Sequence, residues 1–243
     1  MNAQDTRPFD VLKISAKITP DFESKSITGD FFGYITINEP TNQVYLDARI
    51  DEIWDIEIGY GGKAELTDDK IIFTADFPTN RTIIVQFKYA VKTRQALYFF
   101  DDQLWTQGQG KYTSYWLPSM DDMTDKIEFD ISVIVDPDLT VISNGDLIED
   151  RPLENGLVRW KFNMYQEMSS YLVMIAVGPY KNQDIESRSH VTIDNYYLPV
   201  DSSRVEPTYR YTKEIFDFLE EKIGVSYPWP NYKQVPVRDF IVV

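Results

Sequence analysis

Ile127-Glu128-Phe129-Asp130-Ile131-Ser132-Val133-Ile134-Val135 decides the fold. Apolar side chains occupy every second position from Ile127 to Val135, the period of a strand with one buried face, and most of them are β-branched. Asp136-Pro137-Asp138 ends the run, because proline fixes φ for a turn and cannot donate to a ladder. The same alternation continues toward the amino terminus: Ile83, Val85, Phe87 and Tyr89; Ile71 to Phe73; Trp54, Ile56 and Ile58 ahead of a turn at Gly59, Gly61 and Gly62; and Val44, Leu46, Ala48 and Ile50. It continues further in Ile27, Phe31, Ile35 and Ile37, with Gly29 and Gly33 among them, and in Leu12, Ile14, Ala16 and Ile18. On the other side, Thr140 to Ser143 runs into the turn pair Asn144-Gly145, and Leu157 to Met164 reads as a further strand. Ser170 to Val177 follows, its apolar run from Tyr171 reading as a strand buried on both faces. With Tyr 16, Phe 14 and Trp 5 among 243 residues, the fold class is mainly β.

One helix is predicted, from about Ser202 to Ile223, on Tyr211, Ile215, Phe218, Leu219 and Ile223. Asp201, Ser202 and Ser203 offer amino-terminal caps, and Gly224 stands where a left-handed carboxy-terminal cap belongs. Tyr227-Pro228-Trp229-Pro230 stops the helix, and Gln234 to Val243 reads as a last strand. The change from strands to helix places a domain boundary near Val200, giving residues 1–199 and 200–243. Charge changes at the same point: the whole chain carries a formal −15, yet residues 201–243 hold seven acidic against six basic side chains.

That acidity argues against a nucleic-acid groove, which needs a basic track. Zero Cys excludes disulfides and thiolate metal sites, and a single His excludes any site within the chain that needs two imidazoles. No apolar run approaches the ~20 residues of a membrane span. The chain reads as soluble, with the choice of cytoplasm, periplasm or exterior left open. Asp121 with Asp122, and Asp68, Asp69 and Asp76, read as solvated surface rather than as carboxylate pairs for catalysis or calcium. His190 reads as a surface or strand-edge side chain, since nothing singles out a serine partner for it.

Trp105-Thr106-Gln107-Gly108-Gln109 is different, because it puts two amides at spacing two, on one face of an extended backbone, beside a glycine that admits close approach. A backbone presents paired polar groups to a ligand in this way. The plainer reading, that Gln107 and Gln109 only close backbone hydrogen bonds in a buried loop, stands beside it.

Together with Tyr115-Trp116-Leu117-Pro118-Ser119-Met120-Asp121-Asp122 and Asp125-Lys126, this segment resembles the substrate side of the zinc-dependent alanyl aminopeptidase family, which includes the leukotriene hydrolases. Leu139 to Gly145, Met168 to Leu172, Val177-Gly178-Pro179-Tyr180 and Gly224 to Pro230 resemble further family segments in the same order. The resemblance implies a saddle-shaped β-sandwich over residues 1–199, packed against the first helix and strand of a thermolysin-like catalytic domain that stops at Val243. It implies peptide as substrate and zinc as cofactor of the whole protein. The family's zinc motif, His-Glu-x-x-His, and its Gly-x-Met-Glu-Asn segment fall beyond the chain. No catalytic residue or metal ligand is therefore expected within it, and the fragment alone is expected to be inactive.

By position, Gln107 corresponds to the glutamine that lines the first substrate pocket. Gln109 corresponds to the residue that binds the substrate's α-ammonium, a Glu in many aminopeptidases and a Gln in the leukotriene hydrolase branch. A neutral amide lacks the charge-assisted contribution of a carboxylate. Ser119 replaces a family Cys, and Asp121 and Lys126 match positions that look structural. Two other readings remain: an independent β-sandwich ligand-binding module, and a catalytically dead family member serving as an interaction scaffold.

Overall fold

The computed structural model describes residues 7–240. Its elements begin with strands β1 (Phe9–Asp21), β2 (Ser26–Ile37), β3 (Gln43–Asp47), β4 (Glu52–Ile58), β5 (Lys63–Leu66), β6 (Lys70–Thr74) and β7 (Arg81–Lys92). Two short strands follow, β8 (Leu97–Phe99) and β9 (Leu104–Thr106), then a loop with one 3-10 turn at Thr113–Tyr115. Next come β10 (Ile127–Val135), β11 (Thr140–Ser143), β12 (Asp146–Pro152), β13 (Val158–Met168), β14 (Ile175–Gly178), β15 (Lys181–Glu186) and β16 (Thr192–Tyr197). Helices α1 (Val205–Tyr209) and α2 (Thr212–Ile223) and strand β17 (Asn231–Gln234) complete the described chain. The fold is mainly β, as the periodicity predicts.

Seven strands form one sheet in the order β12-β13-β10-β1-β2-β7-β4. All its pairings are antiparallel except β1 with β10, which run parallel from Lys13 opposite Glu128 to Ile18 opposite Val133. Its inward side chains share one core with those of two smaller sheets, β3-β6-β5 and β11-β14-β9-β8. Phe87 of β7 shows how the layers meet: it stacks on Phe31 of β2 at 4.6 Å and meets Phe73 of β6 at 6.0 Å. Gly29 is required here by space, because a Cβ would lie 2.2 Å from the ring of Tyr89, which is fully buried. The sheet β11-β14-β9-β8 is covered on both sides. Ile175 and Val177 of β14 face the main core, and Ala176 faces a second cluster with Trp105, Ile142, Tyr180 and Leu198.

Five expectations are corrected. Leu12 is 39% exposed, because a bulge between Val11 and Lys13 switches the phase of β1 and turns Phe9 and Val11 inward instead. The strand predicted over Ser170 to Val177 begins only at Ile175, after a 3-10 turn at Ser170–Leu172. The predicted helix is broken at Arg210-Tyr211 and preceded by a 3-10 segment, Pro199–Arg204. Asp201, Ser202 and Ser203 make no capping bond, since the chain is already turning there, whereas Gly224 does close α2 in the left-handed region. The last strand is Asn231–Gln234, ending where the prediction starts it. Residues 235–240 are not in a strand, and 241–243 lie outside the described residues.

β17 joins a third small sheet, β15-β16-β17, by parallel pairing with β16. Polar bonds tie it to the β11–β12 turn. The Lys233 ammonium donates to the carbonyls of Ser143 at 2.8 Å and Gly145 at 2.7 Å, over the Phe162 ring. Asn231 Nδ2 donates to the Gly145 carbonyl at 3.0 Å and to the Asp146 carboxylate at 3.1 Å. Burial pushes the Lys233 ammonium down to about 8, against the opposing pull of Asp194 and Asp146.

Candidate functional site

β9 delivers Gln107. Its central residue, Trp105, pairs with Ala176 of β14 and Tyr98 of β8, and Thr106 both accepts from the Ile175 N–H at 3.0 Å and reaches the Ile175 carbonyl. The strand then ends, and the Gln107 N–H is held by the Ala96 carbonyl at 3.0 Å. Gln107 is 8% exposed, so most of its side chain is packed by this chain.

Gly108 carries the closest approach in the segment. A Cβ there would sit 2.5 Å from the Tyr171 carbonyl oxygen and 2.4 Å from Thr113 Oγ1. The group that the glycine admits is thus the protein's own backbone. After it the chain folds back, with the Tyr112 N–H on the Gly108 carbonyl at 3.0 Å, and Gln109 lies exposed in the turn. The expectation that the two amides share one face of an extended backbone is therefore corrected. The structure places them on either side of Gly108, just past the end of β9, one packed and one in solvent.

Behind them the loop that runs to Lys126 is fastened from several directions. Trp116 and Leu117 are fully buried, and Thr113 Oγ1 donates to the Ser170 carbonyl at 2.9 Å. Ser119 exchanges backbone hydrogen bonds with Asp47 at 2.8 and 3.0 Å, and its hydroxyl has no partner among the described residues. Such a slot suits a small side chain of low polarity. Lys126 donates to Ser169 Oγ at 2.5 Å and to the Met123 carbonyl at 3.2 Å.

The reading of Asp121 as solvated surface is also corrected. It is 7% exposed and accepts from Ser114 Oγ at 2.6 Å and from the Ser114 N–H and Arg49 at 3.4 Å each. Burial raises its pKa, and the Ser114 bonds oppose the rise. Asp125 is buried against Arg7, and its pKa is likewise raised by burial against the pull of the guanidinium. Arg7, Tyr45, Asp47, Arg49, Lys70 and Asp121 line a polar cleft of about 360 Å³. Lys111, Met120 and Asp122 complete its lining; Arg7 and Arg49 pair with Asp125 and Asp121 of the loop and so help to pin it, and Lys70 pairs with Asp47. Asp68, Asp69 and Asp76 are exposed, as predicted, and so is His190, with Nδ1 2.8 Å from Glu186.

Among the described residues no group of three or more His, Cys, Asp or Glu could hold a metal ion. Their donor set does not fit zinc. No helix among them is long and apolar enough to cross a membrane.

The family description Peptidase M1 N-terminal domain matches residues 12–172. The chain belongs to the M1 peptidase amino-terminal domain family. Its relatives include a puromycin-sensitive aminopeptidase of Caenorhabditis elegans, 24% identical over 93% of this chain and 26% of that protein. Another is the mitochondrial aminopeptidase 2 of Saccharomyces cerevisiae, 24% identical over 92% of this chain and 26% of that protein. A glutamyl aminopeptidase of Rattus norvegicus is 28% identical over 51% of this chain and 13% of its own length. The chain spans about a quarter of the length of the first two. The M1 match takes in the whole segment from Trp105 to Lys126 and so contains both glutamines.

Sequence reasoning missed the residues that fasten this M1 segment to the far end of the chain: Gln103, Tyr180 and the backbone of Pro236 and Arg238. No short motif could have found them, because the partners stand as far as 135 positions apart and the atoms reached belong to the backbone.

Proposed function

We propose that this chain is the substrate-lining amino-terminal part of an aminopeptidase that removes amino-terminal residues from peptides. The observation that carries the reading is the M1 amino-terminal match over residues 12–172, with aminopeptidases as relatives along nearly the whole chain. In this reading Gln107, packed at the end of β9, forms part of the wall against the peptide's first residue. Gln109, exposed two residues further on, accepts a hydrogen bond from the α-ammonium. Both roles are binding and orientation, since an uncharged amide neither takes nor gives a proton at neutral pH.

We assign the zinc of the whole protein to residues outside these 243, because one His and no Cys leave no ligand set here. Residues 200–243 are read as the start of the peptidase domain, and the rest of that domain as the partner of this one. The test is aminoacyl-anilide hydrolysis by the full-length protein that carries this chain, together with its zinc content. Gln107→Ala should lower kcat/KM about tenfold with zinc retained; an unchanged rate assigns Gln107 to structure alone. The 243 residues by themselves should bind no zinc and show no turnover, and zinc-dependent turnover from them would sink the reading.

A further inference from the structure

Three side chains of the β-domain grip the backbone of the segment that follows β17. Gln103, fully buried, uses both ends of its amide: Oε1 accepts from the Arg238 N–H at 2.7 Å, and Nε2 donates to the Tyr180 hydroxyl at 2.7 Å. The Tyr180 hydroxyl in turn donates to the Pro236 carbonyl at 2.9 Å. Trp105 Nε1 donates to the Arg238 carbonyl at 3.0 Å. The direction of each bond is forced. An N–H can only donate and a carbonyl only accept, so the amide of Gln103 has one orientation that satisfies both neighbours.

The surroundings support the grip. Val235 and Val237 pack against the cluster of Trp105, Ile142, Ala176, Tyr180 and Leu198, and the Phe240 ring stacks on Trp105 at 5.6 Å. Arg238 and Asp102 close the outer side at 3.1 Å. A packing role would ask only for volume here. Instead, three polar side-chain groups read three backbone groups, which fixes the path of residues 236–238 whatever their own side chains are. The gripped segment thereby lies on β9, two residues before Gln107.

We propose that Gln103, Trp105 and Tyr180 are positioning residues for the substrate site: they hold the segment 236–240 and strand β9, which leads directly into Gln107, in one fixed relation. The proposal rests on the aminopeptidase reading above. It assigns these three residues no contact with substrate. Their effect passes through the backbone, where small displacements of a lining group are costly to catalysis.

The experiment uses the full-length protein with Tyr180→Phe and Gln103→Leu, which keep volume and remove the polar atoms. Hydrogen exchange at the Arg238 amide should speed up about tenfold in Gln103→Leu. On an aminoacyl-anilide, kcat/KM should fall about tenfold in both variants, mostly through KM, because the displaced glutamine binds rather than reacts. Zinc content should stay unchanged, and circular dichroism should confirm a folded protein. Folded variants with wild-type kcat/KM overturn the positioning role alone, whether or not exchange speeds up. Unchanged exchange at Arg238 overturns the grip itself. A wild-type protein without turnover overturns the aminopeptidase reading and the positioning role together, while the exchange rate still reports the grip separately. Should Gln103→Leu fail to fold, Tyr180→Phe alone decides the kinetic question.

Discussion

At Asp121 a carboxylate does the work of a backbone carbonyl. It gathers Ser114 Oγ, the Ser114 N–H and Arg49 inside a loop that has no regular ladder of its own, and it does so while 7% exposed. Asp121→Ala leaves those donors without an acceptor, so unfolding stability should drop by about 2–3 kcal/mol, read from urea denaturation. A loss under about 0.5 kcal/mol would show that water replaces the carboxylate. Gln109 carries a different expectation, tied to the aminopeptidase reading. Gln109→Glu adds a charge beside a substrate ammonium, and because the position is exposed the gain is that of a surface pair, a KM lower by about fivefold at most. The same substitution should leave KM unchanged for a peptide whose amino end is acetylated. Equal effects on the two substrates would assign Gln109 elsewhere.

Among the elements, β17 depends on a buried ammonium. The folded Lys233 releases its proton near pH 8, against 10.5 for the free side chain, so between those values the unfolded chain holds a proton that the folded chain has lost. Stability should therefore rise with pH across that window, and Lys233→Met should flatten the rise relative to the wild type in denaturation midpoints taken from pH 7.5 to about 10.5. Parallel curves for the two proteins would mean that the ammonium is not buried. The elements also show which features were legible in advance. Ile127 to Val135 keeps an apolar residue at every second position, with Ile134 alone departing from the polar phase, and forms β10 over those same residues. β15 was not legible, because Lys181-Asn182-Gln183-Asp184-Ile185-Glu186 has one apolar residue and is a strand only through its six paired positions on β16. Leu12 misled because a bulge shifts phase without leaving a mark in composition. Of the candidate site, the two glutamines were legible as residue types. Their unequal burial was not, since the path of the backbone between them is set by Tyr171 at Gly108 and by Ala96 at the Gln107 N–H, both arriving from elsewhere in the chain.

On the scale of the whole molecule, packing is uneven. The seven-stranded sheet shares a continuous core with two other sheets, whereas the cluster beside β15, β16 and β17 has, among the described residues, only Val191, Ile193 and Phe216 as buried members. Native-state hydrogen exchange should accordingly protect amides of β1, β2, β7 and β10 far more than those of β15 and β16, by tenfold or more at about 1.4 kcal/mol per decade. Equal protection would indicate that the sheets open as one unit. The parallel pairing at the centre of the large sheet has a further consequence, for synthesis. Lys13 meets Glu128, 115 positions later, so one edge of β1 has no partner until β10 has been made. At about 5–20 residues per second, that edge stays open for roughly 6–23 s after β1 is made. For that interval β1 carries a bare pairing edge toward the place of β10, the kind that recruits neighbouring chains unless something covers it.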